Sequence, residues 1–313
     1  FFSTLMPLVN VGRCKSSGSD VQLYYDAYGD PTHEPLLLII GLGTQCIAWS
    51  EQFIEMLVGK GYYVVRFDNR DTGLSSHLDH LGSPSPIKNF VKQFIYMDVE
   101  SVYSLNDMAN DVVGLMDALQ LRSAHIMGSS MGGMIAQCLA IDNPTRVRSL
   151  CCTFSSTGEP HLPRASLRVL LQITKANPPT KEERISLQLQ TLEMISSPQY
   201  WDPVEARAYA ERAFERTSYR AGNPRQIAAI TSAPGRKEAL RAVSVPTLVI
   251  HGKEDPLVLF DHGVDIYEAV PGAELLTPEH MRHNLPPELF QTLVDAIDAN
   301  AKKAGQANKD ASG

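Results

Sequence analysis

Residues 125–137 read HIMGSSMGGMIAQ: an apolar run, two adjacent serines among glycines, then a second apolar run. Gly128, Ser130 and Gly132 make the spacing G-x-S-x-G, with Ser130 at its centre and Ser129 outside it. A sharp strand-to-helix turn drives its central residue into a strained backbone conformation and brings the flanking chain close, so the positions two before and two after have no room for a bulky Cβ. The context fits: strand-like AHIM precedes the glycines, and Met131, Met134, Ile135, Cys138 and Leu139 after them suit a buried helix. Such a nucleophile elbow raises the Ser130 hydroxyl above the carboxyl edge of a sheet, at a helix N-terminus whose free N–H groups favour a developing anion. A glycine-rich packing turn would show the same letters without any need for partners elsewhere in the chain.

Partners exist downstream. A lone serine is a poor nucleophile, so a histidine must take its proton and a carboxylate must orient that histidine. In chain order the acid comes next and the histidine last. The strand-like PTLVIHG (246–252) runs straight into KEDPLV, which places Asp255 in a loop beyond the same sheet edge; Glu254 is its neighbour, and Asp261 and Asp265 lie further along a following helix. His280 and His283 fall in TPEHMRHNLPPELF, between AELLT and the last helix, and His283 is fixed by the helix start directly after it. His125 and His251, in strand runs, read as hydrogen-bonded structural residues; His33, His77, His80, His161 and His262 read as surface or loop residues. The oxyanion of an acyl-transfer intermediate needs preorganised donors. Met131 N–H is one, and the loop GLGTQ (41–45) offers Leu42 N–H as the second.

Around this centre the chain alternates strand and helix. VQLYYDAYG (21–29), PLLLIIG (35–41), YYVVRFD (62–68), SAHIMG (123–128), VRSLCCTF (147–154) and PTLVIHG read as strands, and several are apolar at nearly every position, as strands buried on both faces are. In SLNDMANDVVGLMDAL, Ser104 and Asp107 resemble a capping box, and Leu105, Met108, Val112, Leu115 and Leu119 share a face. The expected class is α/β, a mostly parallel, doubly covered sheet. From 157 to 239 the chain turns rich in Arg, Glu, Gln and Pro with helical periodicity, which reads as a helical cap inserted into a core of 1–156 and 240–300. The closing helix is expected near PPELF (286–290), and 301–313 as a flexible tail.

Bulk properties exclude other classes. A chain of 313 residues buries roughly three quarters of its unfolded surface, enough for a core with a deep cleft. Its net charge of -7 and lack of long basic runs argue against nucleic acid. Five scattered cysteines without CxxC pairs argue against a disulfide framework or zinc site and favour a cytoplasmic setting. No run reaches the roughly 18–20 apolar residues of a spanning helix. FFSTLMPLVN lacks the basic end and cleavage site of a signal peptide, and the absence of an initiating Met suggests a trimmed start. No metal or cofactor is required by this chemistry; the partner is a small-molecule ester, and the sequence leaves a homodimer open.

Taken in order, IIGLGTQCIAW, RFDNRDTGLS, HIMGSSMGG, VPTLVIHGKEDPLV and HMRHNLP resemble the serine α/β-hydrolases over nearly the whole chain, closest to aclacinomycin methylesterase-like esterases and proline iminopeptidase-like hydrolases. The resemblance implies Ser130, Asp255 and His283 as a catalytic triad beneath an inserted helical cap. Two departures stand out: Ile40-Gly41 replaces the usual His-Gly after the third strand, and HMRH replaces Gly-x-Gly-His before the base. A serine rather than an aspartate at the elbow argues against haloalkane and epoxide opening. Of the remaining serine chemistries the expectation is a carboxylic ester hydrolase. The alternatives are an aminopeptidase, for which Glu182, Glu183, Glu193 and Glu205 are available, and an inactive binding protein. Helical spacing makes most of Leu170, Leu171, Leu187, Leu189, Met194, Tyr200, Trp201, Tyr209 and Phe214 packing residues.

Overall fold

Six apolar runs form strands and pair into one sheet with two more. The computed structural model describes residues 7–310 except 86, 87, 90, 91 and 93–98. Its strands are β1 (Leu8–Arg13), β2 (Asp20–Tyr28), β3 (Glu34–Ile39), β4 (Tyr62–Phe67), β5 (Ala124–Ser129), β6 (Val147–Thr153), β7 (Thr247–Ile250) and β8 (Glu274–Leu276). Their order in the sheet is β1-β2-β4-β3-β5-β6-β7-β8. β1, β2 and β4 pair antiparallel, and every pairing from β4 through β3 to β8 is parallel. The expected mostly parallel sheet is thus present. β1 has no counterpart in the sequence reading, because LVNVGR is an edge strand with no fully buried residue and a bulge between Asn10 and Gly12.

Alternate residues of β3 enter different cores, as a period of two requires. Leu36 and Leu38 pack with Trp49, Phe53, Ile54 and Leu57, while Leu37 and Ile39 pack with Val112, Leu115, Ile135 and Leu139. The first face is closed by α1 (Glu51–Gly59), whose N-cap Ser50 accepts from Phe53 N–H. The second is closed by α2 (Leu105–Ala118), with the anticipated Ser104–Asp107 capping box, and by α3 (Met131–Asp142). Both sheet faces therefore pack against helices, and the β5–α3 junction lies at the end where the parallel strands stop.

Between β6 and β7 the described residues hold no strand. They form α4 (Leu167–Ile173), α5 (Lys181–Ile195), α6 (Pro203–Arg216), α7 (Asn223–Ser232) and the short α8 (Lys237–Leu240). After β7 come α9 (Phe260–Ala269), β8 and α10 (Phe290–Asp310), the last preceded by a 3-10 turn at Pro287–Leu289. α10 runs on through residues expected as a flexible tail from 301. Ala301 and Ala304 are buried, and Lys303 Nζ reaches Glu274 Oε1 at 2.6 Å, so packing and an ion pair extend the helix.

Candidate active site

The elbow forms where β5 meets α3. Ser130 has φ 54° and ψ -120° at the N-cap of α3, yet its side chain caps nothing. Serine at an N-cap ordinarily accepts from a first-turn N–H; here the strained backbone turns the hydroxyl away. Neighbouring groups hold that strain in place. Ser130 N–H donates to Thr153 O at 2.9 Å, and Ser130 O accepts from Gly133 N–H at 3.0 Å and from Ser155 Oγ at 2.8 Å. The glycines are required sterically. A Cβ on Gly128 would lie 2.2 Å from Gly132 O, and one on Gly132 would lie 2.1 Å from Ile39 O. Ser129, by contrast, is a buried β5 residue.

Past β7 the loop holds Asp255, which is 2% exposed. Its Oδ1 accepts from Leu257 N–H at 2.8 Å and Val258 N–H at 2.9 Å, which leaves Oδ2 to accept from His283 Nδ1 at 2.7 Å. The carboxylate is thereby oriented by backbone before it orients the imidazole. The other candidates lie elsewhere. Glu254 is exposed and faces Arg282; Asp265 binds Thr157 and Lys237; Asp261 is exposed on α9. His280 is exposed and sits edge-on to Tyr200. His283 is 9% exposed, lies against the Phe154 ring at 4.5 Å, and its N–H donates to Ile195 O at 3.0 Å, at the end of α5.

The other histidines divide largely as anticipated. His125 bonds Ser149 Oγ at 2.8 Å and Glu34 Oε2 at 3.3 Å; His251 bonds Val258 O at 2.7 Å. Burial pushes the pKa of both rings down, which favours the neutral form of each. His262 differs from expectation. It lies in α9, not in a loop, and bonds Ser156 Oγ at 2.7 Å and Pro163 O at 2.8 Å, tying α9 to the chain leaving β6.

In the loop after β3, Gly43 N–H donates to Gln226 Oε1 at 2.8 Å and Thr44 N–H to Gly41 O at 3.4 Å. Leu42 N–H and Met131 N–H have no acceptor among the described residues. Gly41 brings this loop against the serine, since a Cβ there would lie 3.2 Å from Ser130 Cβ and 3.7 Å from its Oγ.

RFDNRDTGLS carries a role that the sequence reading did not assign: it fastens α6 and α7 over the sheet edge. Arg225 of α7 grips Asp71 at 2.7 and 2.8 Å, Arg216 of α6 meets Asp68 at 2.7 Å, and Gln226 Nε2 donates to Arg70 O and Thr72 Oγ1. Arg70 is itself pinned by Asp111 at 2.6 Å through two bonds. Gln226 thus binds the β4 loop and the Leu42 loop at once. Only the polarity of these residues was a signal, and it does not name partners that lie some 150 positions away.

Ser130, Met131, Leu42 and His283 all border one cavity of about 2450 Å³, roofed by α4–α7. That exceeds the roughly 300–1,000 Å³ of an ordinary small-molecule pocket. Leu170, Leu171, Leu187, Tyr200, Trp201 and Tyr209 line it, more of the apolar set than expected, because the helices arch over open space instead of packing flat on the sheet. Leu189, Met194 and Phe214 do not line it. Among the described residues no His, Cys, Asp and Glu group is arranged to hold a metal, and no helix is long and apolar enough to cross a membrane.

Comparison with known proteins gives the family. Residues 34–288 match the family model for the alpha/beta hydrolase fold. The chain is 28% identical to rhodomycin D methylesterase of Streptomyces peucetius, over 92% of this chain and 97% of that one. It is 25% identical to a putative carbamate hydrolase of Azorhizobium caulinodans, over 88% and 95%. Among solved structures, the enol-lactonase of Burkholderia xenovorans superposes with TM-score 0.69 at 22% identity, covering 90% of this chain and 97% of that one. A thermophilic esterase of Thermogutta terrifontis gives 0.68 at 18%, covering 95% and 99%.

Proposed function

The chain belongs to the alpha/beta hydrolase fold family, and from that premise we propose that it is a serine carboxylic ester hydrolase working through an acyl-enzyme. Ser130 Oγ attacks the ester carbonyl while His283 Nε2 takes its proton; Asp255 holds the imidazole in the tautomer that makes this possible. Met131 and Leu42 N–H receive the tetrahedral oxyanion. His283 then passes the proton to the departing alcohol, and a water activated by the same ring releases the acid. Residues 1–156 and 240–300 supply this machinery, and 157–239 act as the cap over the substrate.

The observation that carries the reading is the 2.7 Å Asp255–His283 contact on the same cavity as an uncapped, strained Ser130. The volume of that cavity and the similarity to a methylesterase favour an ester of a bulky, largely apolar acid with a small alcohol. An aminopeptidase would need a carboxylate free for the substrate ammonium. Glu182 pairs with Arg207, Glu183 caps Thr180, Glu205 pairs with Arg212, and Glu193 is exposed. Five buried free thiols suit a reducing, cytoplasmic setting.

Short-chain p-nitrophenyl esters and amino-acid p-nitroanilides, assayed on wild type and Ser130→Ala, test the proposal. Ester turnover that the substitution abolishes supports it. Anilide turnover above ester turnover would move the assignment to a peptidase, and binding of apolar ligands without turnover of either would move it to a binding protein.

A further inference from the structure

A half-buried guanidinium in the cavity wall has no carboxylate partner among the described residues. Arg220 sits in the turn between α6 and α7, half-buried and bordering the cavity. An arginine carries five N–H donors in a planar fork suited to an anionic oxygen pair. Among the described residues Arg220 makes one side-chain hydrogen bond, Nη2 to Gln188 Oε1 at 2.5 Å, and no carboxylate lies within ion-pair reach. Of the other arginines that border the cavity, Arg212 pairs with Glu205, and Arg164 is exposed to solvent where Arg220 is half-buried. Arg236 is buried among Gln137, Ser156 O and Pro234 O.

The turn is also rigid. Asn223 N–H donates to Arg220 O at 3.2 Å, and a Cβ on Gly222 would lie 2.2 Å from Asp71 O, so the backbone is pressed onto the β4 loop. A Cβ on Gly43 would lie 2.7 Å from Asn223 Oδ1, so the far end of the turn touches the loop that carries Leu42 N–H. The backbone that carries Arg220 is thereby tethered to the loops beside the reacting centre. Tyr209, near Arg220, and Asn223, three residues on, also border the cavity, and neither side chain has a hydrogen-bond partner among the described residues. Desolvation pulls the Arg220 pKa down and pushes the Tyr209 phenol up to about 12, so the phenol stays a donor and the cation gains from any anion that replaces lost water.

We propose that Arg220, with Tyr209 and Asn223, forms an anion-binding subsite, and that the substrate is an ester bearing a second, negatively charged oxygen group, a carboxylate or ionised phenol, away from the scissile bond. This rests on the esterase reading for the reaction but not for the binding. Charge-assisted pairing with a desolvated guanidinium then selects the acidic ester and orients it.

Two readouts test it separately. The first is kcat/KM for p-nitrophenyl half-esters of dicarboxylic acids of four to ten carbons against neutral p-nitrophenyl esters of matching length. In wild type one chain length is expected to be preferred in its charged form, and Arg220→Met should lower that charged-to-neutral ratio at least tenfold, with Arg220→Lys recovering part of it. The second is calorimetric binding of the monomethyl ester of the preferred diacid, or of sebacic acid if no length turns over, to Ser130→Ala and to Ser130→Ala/Arg220→Met. Loss of affinity of tenfold or more on removing Arg220, screened by salt, supports the subsite even if wild type hydrolyses no ester. A ratio and an affinity that Arg220→Met leaves unaltered, in a protein that melts as wild type does, would overturn the subsite while leaving Ser130 chemistry intact.

Discussion

Asp255→Asn changes one atom and separates orientation from packing. In the native loop Oδ1 accepts two backbone N–H groups, at 2.8 and 2.9 Å, and Oδ2 accepts from His283 Nδ1 at 2.7 Å. An asparagine has one carbonyl oxygen for these two positions. Turning that oxygen to His283 would aim the NH2 at Leu257 and Val258 N–H and leave two buried donors unanswered, at about 1–3 kcal/mol each. The oxygen therefore stays with the backbone, and the NH2 faces His283 Nδ1. That nitrogen must then be the acceptor, so the proton moves to Nε2, the atom that should receive the Ser130 proton. Loss of the base through the wrong tautomer lowers kcat by ~10⁴-fold in the chymotrypsin-type example, or about 5.4 kcal/mol of transition-state stabilisation. The assay is kcat for p-nitrophenyl butyrate beside a thermal melt. A fall of three to five decades with Tm within a few degrees of wild type is expected, whereas Asp255→Ala should lose Tm as well because the turn loses its acceptor. Activity of Asp255→Asn within tenfold of wild type would refute the assignment.

Gly132→Ala places a methyl 2.1 Å from Ile39 O, so α3 must retreat from β3 by about an ångström; a loss of ~10²-fold in kcat/KM and about 1–3 kcal/mol in urea-monitored stability is expected. Gln226→Ala frees Gly43 N–H and the Leu42 loop, and should lower kcat by ~10–100-fold with smaller change in KM, measured by full Michaelis–Menten curves. His125 and His251 have folded pKa values depressed below the usual 6.5, so the unfolded chain binds more protons in mild acid. Stability is thus full above about pH 6.5 and falls as pH drops toward the folded values; urea denaturation at pH 5.5 and pH 8 should show this, and His125→Gln should flatten the slope.

What the sequence disclosed and what it withheld follow from the range of the interactions. The elbow is a local steric object: Gly128, Ser130 and Gly132 must be small, strained and small within five positions, so their spacing is written in adjacent letters. Asp255 and His283 each adjoin a local boundary, the end of β7 and the turn before α10, so the sequence could offer both as candidates although their contact spans 28 positions. β1 was not readable, since an edge strand needs no continuous apolar run. Nor was the fastening of α6 and α7 to Asp68 and Asp71, because ion pairs between distant segments leave no periodicity. The width of the cavity was equally hidden, since Leu187 or Tyr209 has the same helical spacing whether it packs on a neighbour or faces open space.

The hydroxyl of Ser130 as the attacking atom is tested most directly by an active-site label. Incubation with an alkyl fluorophosphonate, then intact mass and peptide mapping, should show one adduct per chain on the peptide spanning 125–137, localised by fragmentation to Ser130, and none in Ser130→Ala. An adduct on Ser129 or elsewhere, or none in a protein that hydrolyses esters, would contradict it.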